Sequence, residues 1–230
     1  MTTTNKFVIL ATDNHPLYHN LKELADKHHY RFYDVEKDEL FEEKQDNQRE
    51  CECLFDFTCT TNDQKMGLLN YLDFEFDVPI VADLSYCWGE LYFQKVRHLK
   101  GAISTLFTSP TKTREVYCED NGSRSSIETL FSQLELSPLY IRDIELGFTF
   151  PRILSMIINE AYFSLEDELA SDEDLDRAMK FGVNYPLGPI EWSQEIGTFP
   201  IVMLLDELYQ VTGEPRYRVS KLLRLLSQGQ

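Results

Sequence analysis

Short apolar runs separated by polar, helix-patterned stretches set the rhythm of the first two thirds of the chain. Phe7-Val8-Ile9-Leu10 is continuously apolar, as a strand buried on both faces would be. A helix is predicted from Pro16 to about His28, with Leu17, Leu21, Leu24 and Ala25 facing inward, and a second strand over Tyr30 to Asp34. That is a βαβ opening. Further strands are predicted at Cys53 to Thr58, Pro79 to Asp83, Ile103 to Phe107 and Leu139 to Asp143, with Arg114 to Cys118 alternating as an edge strand would. Helices are predicted through Lys65, Leu68, Leu69 and Leu72 and from Ser126 to Leu136, and Asn121-Gly122-Ser123 reads as a turn. The charged stretch Glu36 to Glu52 reads as a solvated helix or loop. Alternating strands and helices predict a parallel, doubly wound sheet.

After Gly147 the period changes. Phe150, Ile153, Leu154, Ile157, Ile158, Ala161 and Leu165 recur at the spacing of one buried helix face. Ser171 followed three residues later by Asp174 is a capping-box pattern, and Leu175, Ala178 and Met179 supply the inner face of the helix it opens. Gly188-Pro189 starts a third helix, because proline at the first helical position gives up only an N–H that would be unpaired anyway. Ile201, Val202, Leu204, Leu205, Leu208 and Tyr209 exceed what one side of a helix usually buries. An α/β unit over residues 1–145 and a helical unit over 146–230 follow.

The net charge of −17 narrows the partners. It argues against nucleic acid, whose phosphates reward clustered Lys and Arg, and against any polyanionic ligand without a local cationic pocket. No apolar run reaches the roughly 20 residues that span a bilayer, so the expectation is a soluble, cytoplasmic protein with no membrane partner. Cys51, Cys53, Cys59, Cys87 and Cys118 are odd in number and sit mostly in apolar contexts, which suits free buried thiols. Cys51-Glu52-Cys53 lacks the usual spacing of metal ligands, and no metal is expected.

Several ordered motifs lie beyond residue 147. Gly147-Phe148 with Arg152, Asn159-Glu160-Ala161, Ala170-Ser171 with Glu173 to Asp176, Ala178-Met179-Lys180 with Gly182, Pro186 with Gly188-Pro189 and Glu191, and Thr212 to Arg218 stand in sequence. Together they resemble the C-terminal helical domain of the 3-hydroxyacyl-CoA dehydrogenases, over residues 147 to about 226. The resemblance implies a degenerate Rossmann-like sheet domain followed by that helical domain, a homodimer through the helices, and oxidation of a 3-hydroxyacyl thioester with NAD in fatty acid metabolism.

Position by position, the chemistry implied by the resemblance is uneven. A dinucleotide-binding turn carries G-x-G-x-x-G, because glycines let the backbone approach a diphosphate; here the turn reads Ala11-Thr12-Asp13-Asn14-His15-Pro16, without glycine. Asp34 matches the ribose-binding acid of the family, and also suits a plain strand-end turn residue. Leu106 stands where the family has its histidine base. Ser85 matches the family's substrate serine and Glu115 its orienting glutamate, although Glu115 better suits an exposed strand-end acid paired with Arg114 or Lys112. Pro151 replaces an asparagine. The histidines are expected to face solvent, with His15 at the mouth of the nucleotide cleft. These losses favour a diverged relative that keeps fold and dimer, has no NAD-dependent activity and binds no cofactor, with an acyl-CoA or a protein as its ligand. Two alternatives stand beside it. One is an active dehydrogenase using Ser85 and Glu115 with another base, and the other an acidic subunit paired with an intact dehydrogenase.

Overall fold

The protein was analysed as a computed structural model that describes residues 5–37, 51–108 and 110–228, so most of the charged stretch after Glu36 lies outside the described residues. Two compact units emerge, Met1–Leu84 with Gly89–Glu145, and Ser85–Trp88 with Leu146–Gln230.

The first unit is a seven-stranded sheet with helices. Its strands are β1 (Asn5–Ala11), β2 (Arg31–Asp34), β3 (Cys51–Phe57), β4 (Ile80–Asp83), β5 (Leu99–Ile103), β6 (Thr113–Cys118) and β7 (Ser137–Tyr140), in the spatial order β2-β1-β3-β4-β5-β6-β7. Neighbours run parallel except β5 and β6, which are antiparallel. The helices are α1 (Tyr18–His28), α2 (Asn62–Glu75), α3 (Gly89–Lys95) and α4 (Asn121–Gln133). Phe7, Ile9, Phe55, Phe57, Leu21, Ile127, Leu130 and Phe131 form a buried core on the helix-covered sheet, as expected for parallel strands.

Three local expectations are corrected. β5 ends at Ile103 rather than beginning there, because the Thr105 N–H donates to the Asp83 carboxylate at 2.8 Å and takes the backbone off the ladder. β6 is interior, flanked by β5 and β7, so β2 and β7 are the edges. Residues 121–123 open α4 rather than forming a turn, because Asp120 accepts the Ser123 N–H at 2.8 Å and caps the helix. The seven-residue α3 left no periodic signal.

The second unit comprises α5 (Thr149–Glu166), α6 (Asp172–Gly182), α7 (Pro189–Ile196), α8 (Thr198–Thr212), a 3₁₀ turn (Pro215–Tyr217) and α9 (Lys221–Ser227). The segment Ser85–Trp88 belongs here: the Gly147 N–H donates to the Cys87 carbonyl at 2.9 Å, and Trp88 forms a bridge with Leu146. Gly147 sits at φ +60, and a Cβ there would meet Leu204 at 2.6 Å, so no other residue fits without displacement.

The buried stripe of α5 is Pro151, Leu154, Ser155, Ile158, Asn159, Ala161 and Tyr162, whereas Ile153 is largely exposed and Ile157 half-buried, contrary to the apolar count. Asn159 accounts for the rotation. Its amide donates to the Arg218 carbonyl at 3.0 Å and accepts the Ser220 N–H at 2.9 Å, fixing the chain that leads into α9. Glu166 completes that junction by accepting from the Ser220 hydroxyl and from the Leu222 N–H.

A similar correction holds for α6. Ala178 is exposed, and Asp176 is the residue turned inward. Its carboxylate accepts the Ile190 N–H at 2.8 Å and the Glu191 N–H at 3.2 Å, which are among the orphan donors that open α7. Glu191 in turn accepts from the Gly188 N–H and pairs with Lys180. A Cβ at Gly188 would meet Asp176 at 2.1 Å. Asp176, Lys180, Gly188 and Glu191 are therefore one clasp between two helices.

Two predictions follow from these charges. Lys65 and Asp56 form an ion pair at 2.7 Å with both side chains fully buried, so Lys65→Met leaves a buried carboxylate without its countercharge and is expected to cost about 3–5 kcal/mol in urea unfolding. The Ser220 hydroxyl and the Leu222 amide hold the Glu166 carboxyl below its ordinary value of 4.5. That stabilisation is complete above the ordinary value and is lost as pH falls through the lower folded one. Glu166→Gln, which cannot titrate, is expected to flatten the stability loss measured between about pH 5 and pH 3.

Candidate functional site at the carboxyl edge of the sheet

In open α/β sheets ligands bind outside the carboxyl ends of strands, where chain directions diverge. Here β1 lies between β2 and β3, so that point falls beyond Ala11 and Phe57. The residues that follow the strands on this edge include an unusual number of buried polar side chains: Thr12, His15, Asp56, Thr58, Lys65, Asp83, Ser104 and Thr105. Buried polar groups need partners, and here they find them in one another.

Two clusters result. Around β3, Lys65 reaches back from α2 to Asp56, to the Thr58 carbonyl at 2.7 Å and to the Thr58 hydroxyl at 3.2 Å. The other Asp56 oxygen accepts from the Thr58 N–H and hydroxyl. Around β4 and β5, Asp83 accepts from the Thr105 N–H and hydroxyl, and His15 Nε2 lies 3.3 Å from the Thr105 oxygen and 3.6 Å from Asp83. His15 Nδ1 accepts the Leu17 N–H at 3.1 Å. The imidazole is buried against Phe57, which corrects the expectation that it faces solvent. On β6, burial pulls the Arg114 guanidinium below its ordinary value while the charge of Asp83 opposes that shift.

The loop between β1 and α1 is tied to β3 as well. The Thr12 hydroxyl accepts the Cys59 N–H at 2.8 Å and donates to Asn14, whose amide donates to the Cys59 carbonyl at 3.1 Å. A nucleotide diphosphate needs free backbone N–H groups and room at this turn. In the conformation seen, Thr12, Asn14 and His15 take up that edge, and the residues present do not fit the group.

Asp34 ends β2 as expected and is buried. It accepts from the Tyr18 hydroxyl at 2.6 Å and pairs with Lys37 at 2.9 Å, and Lys37 also reaches Asp13 at 2.8 Å. Burial raises the Asp34 carboxyl, but Tyr18 and Lys37 outweigh it and hold the group below its ordinary value. A groove of about 350 Å³ lies beside it, lined by Tyr18, Lys22, Tyr30, Phe32 and Lys37. Ser85 is fully buried within the second unit, and Glu115 is half-buried on β6, its carbonyl accepting the Ser104 N–H. Lys112 pairs with Glu135, and Arg114 donates to the Thr111 and Thr113 carbonyls. Leu106 is buried. Sequence reading passed over Asp56, Lys65, Asp83 and Thr105. The signal available was an acid inside an apolar strand and a lysine on the apolar side of a helix.

Residues 147–230 match the family described as 3-hydroxyacyl-CoA dehydrogenase, C-terminal domain. A 3-hydroxyadipyl-CoA dehydrogenase of Escherichia coli is 42% identical over 105 residues, 46% of this chain and 22% of that protein. A probable 3-hydroxybutyryl-CoA dehydrogenase of Deinococcus radiodurans is 35% identical over 109 residues, 47% of this chain and 38% of that protein. The chain thus spans well under half the length of these relatives. Among solved structures, the (S)-3-hydroxybutyryl-CoA dehydrogenase of Ralstonia eutropha superposes with a TM-score of 0.67 at 18% identity, covering 98% of this chain and 94% of the other, a likeness of fold.

These matches overturn the expectation of a diverged relative without NAD-dependent activity, and lend no support to the expectation that no cofactor binds: both curated relatives and the Ralstonia eutropha structure carry dehydrogenase names. The helical unit matches the 3-hydroxyacyl-CoA dehydrogenase C-terminal domain family, and the chain shares the fold of the Ralstonia eutropha structure: a seven-stranded, mostly parallel sheet unit followed by the helical unit.

Proposed function

We propose that the chain is an oxidoreductase of the 3-hydroxyacyl-CoA dehydrogenase type, acting with NAD on a short 3-hydroxyacyl thioester such as 3-hydroxybutyryl-CoA, in the cytoplasm and in fatty acid metabolism. The observation that carries this reading is the 42% identity over 105 residues to a 3-hydroxyadipyl-CoA dehydrogenase, supported by the likeness of fold that extends over nearly the whole chain. NAD would supply the hydride acceptor. The β1–α1 loop as it stands does not fit its diphosphate.

The roles proposed for this chain's own residues are positional. Ser85 offers a hydroxyl to the substrate oxygen. Glu115 orients the group that takes the substrate proton, which cannot be Leu106, since leucine has no site for a proton. Asp34 stands at the family's ribose-binding position, where Tyr18 and Lys37 hold its carboxylate. Against a net charge of −17, the coenzyme A phosphates depend on local cations. Apolar side chains exposed on the second unit, Ile153, Leu169, Phe181, Val183 and Leu225, favour a homodimer through the helices.

Three measurements test the reading. Purified protein is expected to quench NADH fluorescence and to oxidise NADH when acetoacetyl-CoA is added; absence of both would refute it. Glu115→Ala is expected to lower turnover about 10²-fold or more with little change in NADH affinity, because a positioned acid–base group is typically worth 10²–10⁴. Unchanged turnover removes Glu115 from the mechanism. Light scattering at micromolar concentration is expected to give twice the chain mass, and a monomer mass would end the dimer proposal.

A further inference from the structure

Arg114 is half-buried on β6, and a charge taken partly out of water needs a partner. Its Nη1 donates to the Thr111 carbonyl at 2.7 Å and to the Thr113 carbonyl at 2.9 Å, so the backbone that leads into the strand fixes the position of the guanidinium. The other edge of the group is unmet. Nε is buried without an acceptor, and among the described residues no acceptor bonds to Nη2 and no carboxylate pairs with the guanidinium, neither Glu115 beside it nor Asp83. Asp83 is near enough to oppose the downward pull of burial on Arg114, yet the hydrogen bonds it accepts come from the Thr105 N–H and hydroxyl. Lys37 and Lys65, cations of the same unit, each pair with a carboxylate of the protein. Arg114 does not.

We propose that the Nε–Nη2 edge of Arg114 is a carboxylate-binding site, taking the carboxylate that ends a ligand's acyl chain or that of a small free carboxylic acid. Nε and Nη2 form the side-on edge of a guanidinium, whose two parallel N–H bonds match both oxygens of a carboxylate. The Nη1 bonds hold that edge in place beforehand, so little side-chain freedom is lost when the ligand arrives. A monoanion is the match in charge. One guanidinium neutralises it, whereas the second charge of a phosphate would be repelled by Asp83 and by a chain at −17. The buried Nε–H supplies the energetic reason, because a donor without an acceptor gains more from a ligand oxygen than one already hydrogen-bonded. The inference stands on Arg114 alone and does not rest on the oxidoreductase reading.

The test titrates the protein with propionate, glutaryl-CoA, pentanoyl-CoA and inorganic phosphate at constant ionic strength. Binding is read as movement of the Arg114 Nε–H resonance in isotope-labelled wild type, and as the rise of the thermal midpoint with ligand in wild type and Arg114→Lys, which keeps the charge and lacks the fork. Propionate or glutaryl-CoA is expected to move the resonance saturably, and Arg114→Lys to bind the same ligand roughly tenfold more weakly, the worth of one charge-assisted hydrogen bond. Movement with propionate assigns a free carboxylic acid. Movement with glutaryl-CoA but not with pentanoyl-CoA, which lacks the terminal carboxylate, assigns the end of an acyl chain. A resonance unmoved by either carboxylate would overturn the site, and so would equal movement by the two thioesters without any from propionate, or saturation by phosphate at lower concentration than by the carboxylates. Equal affinity in folded Arg114→Lys overturns it as well, and the wild-type resonance decides the matter if that variant does not fold.

Discussion

A carboxylate removed from water must be met by donors or by a cation, and the carboxyl edge of this sheet is arranged around two that are fully removed, Asp56 and Asp83. Each sits at or near the end of a central strand, where the backbone is about to leave the ladder. Each then dictates how it leaves. Asp56 turns the chain back on itself through Thr58 and draws the α2 lysine inward. Asp83 captures the amide and hydroxyl of Thr105, ends β5 early and brings His15 over the top. The loops that a ligand would meet are consequences of neutralising these two charges.

Much of this architecture was legible in the residues. The apolar runs from Phe7, Cys53 and Ile80 became strands, and Ser171 and Gly188 open helices where their chemistry requires. What failed did so for a common reason. Ile153 and Ala178 were assigned inward because they are apolar, but Asn159 and Asp176 hold more demanding hydrogen bonds and turned their helices accordingly. Ile103 began a predicted strand that it actually ends, again because a buried acid claimed the next available amide. Periodicity counts apolar side chains and is blind to a polar one that must be inside.

The same distinction explains why the two units speak so differently about function. The motifs after Gly147 are, in the structure, devices of construction: a glycine where a Cβ would strike Leu204, an asparagine that fixes the entry to α9, and an acid that satisfies the start of α7. They identify the family with little reference to chemistry. In the sheet unit, Leu106 and the loop without glycine depart from the family pattern while the strands keep an open, mostly parallel order. Motif loss alone therefore favoured an inactive relative, a reading that the dehydrogenase names of the relatives overturn.

The short segment Ser85–Trp88 carries one further consequence. It packs with the helices although the residues on both sides of it belong to the sheet, so the backbone passes from one unit to the other three times. A fragment cut once, after Glu145, would lose the carbonyl of Cys87 that receives the Gly147 amide and the strand-like partner of Leu146. Neither half is a detachable module, and recombining this helical part with a foreign sheet would succeed only if the donor sheet lent it an equivalent loop.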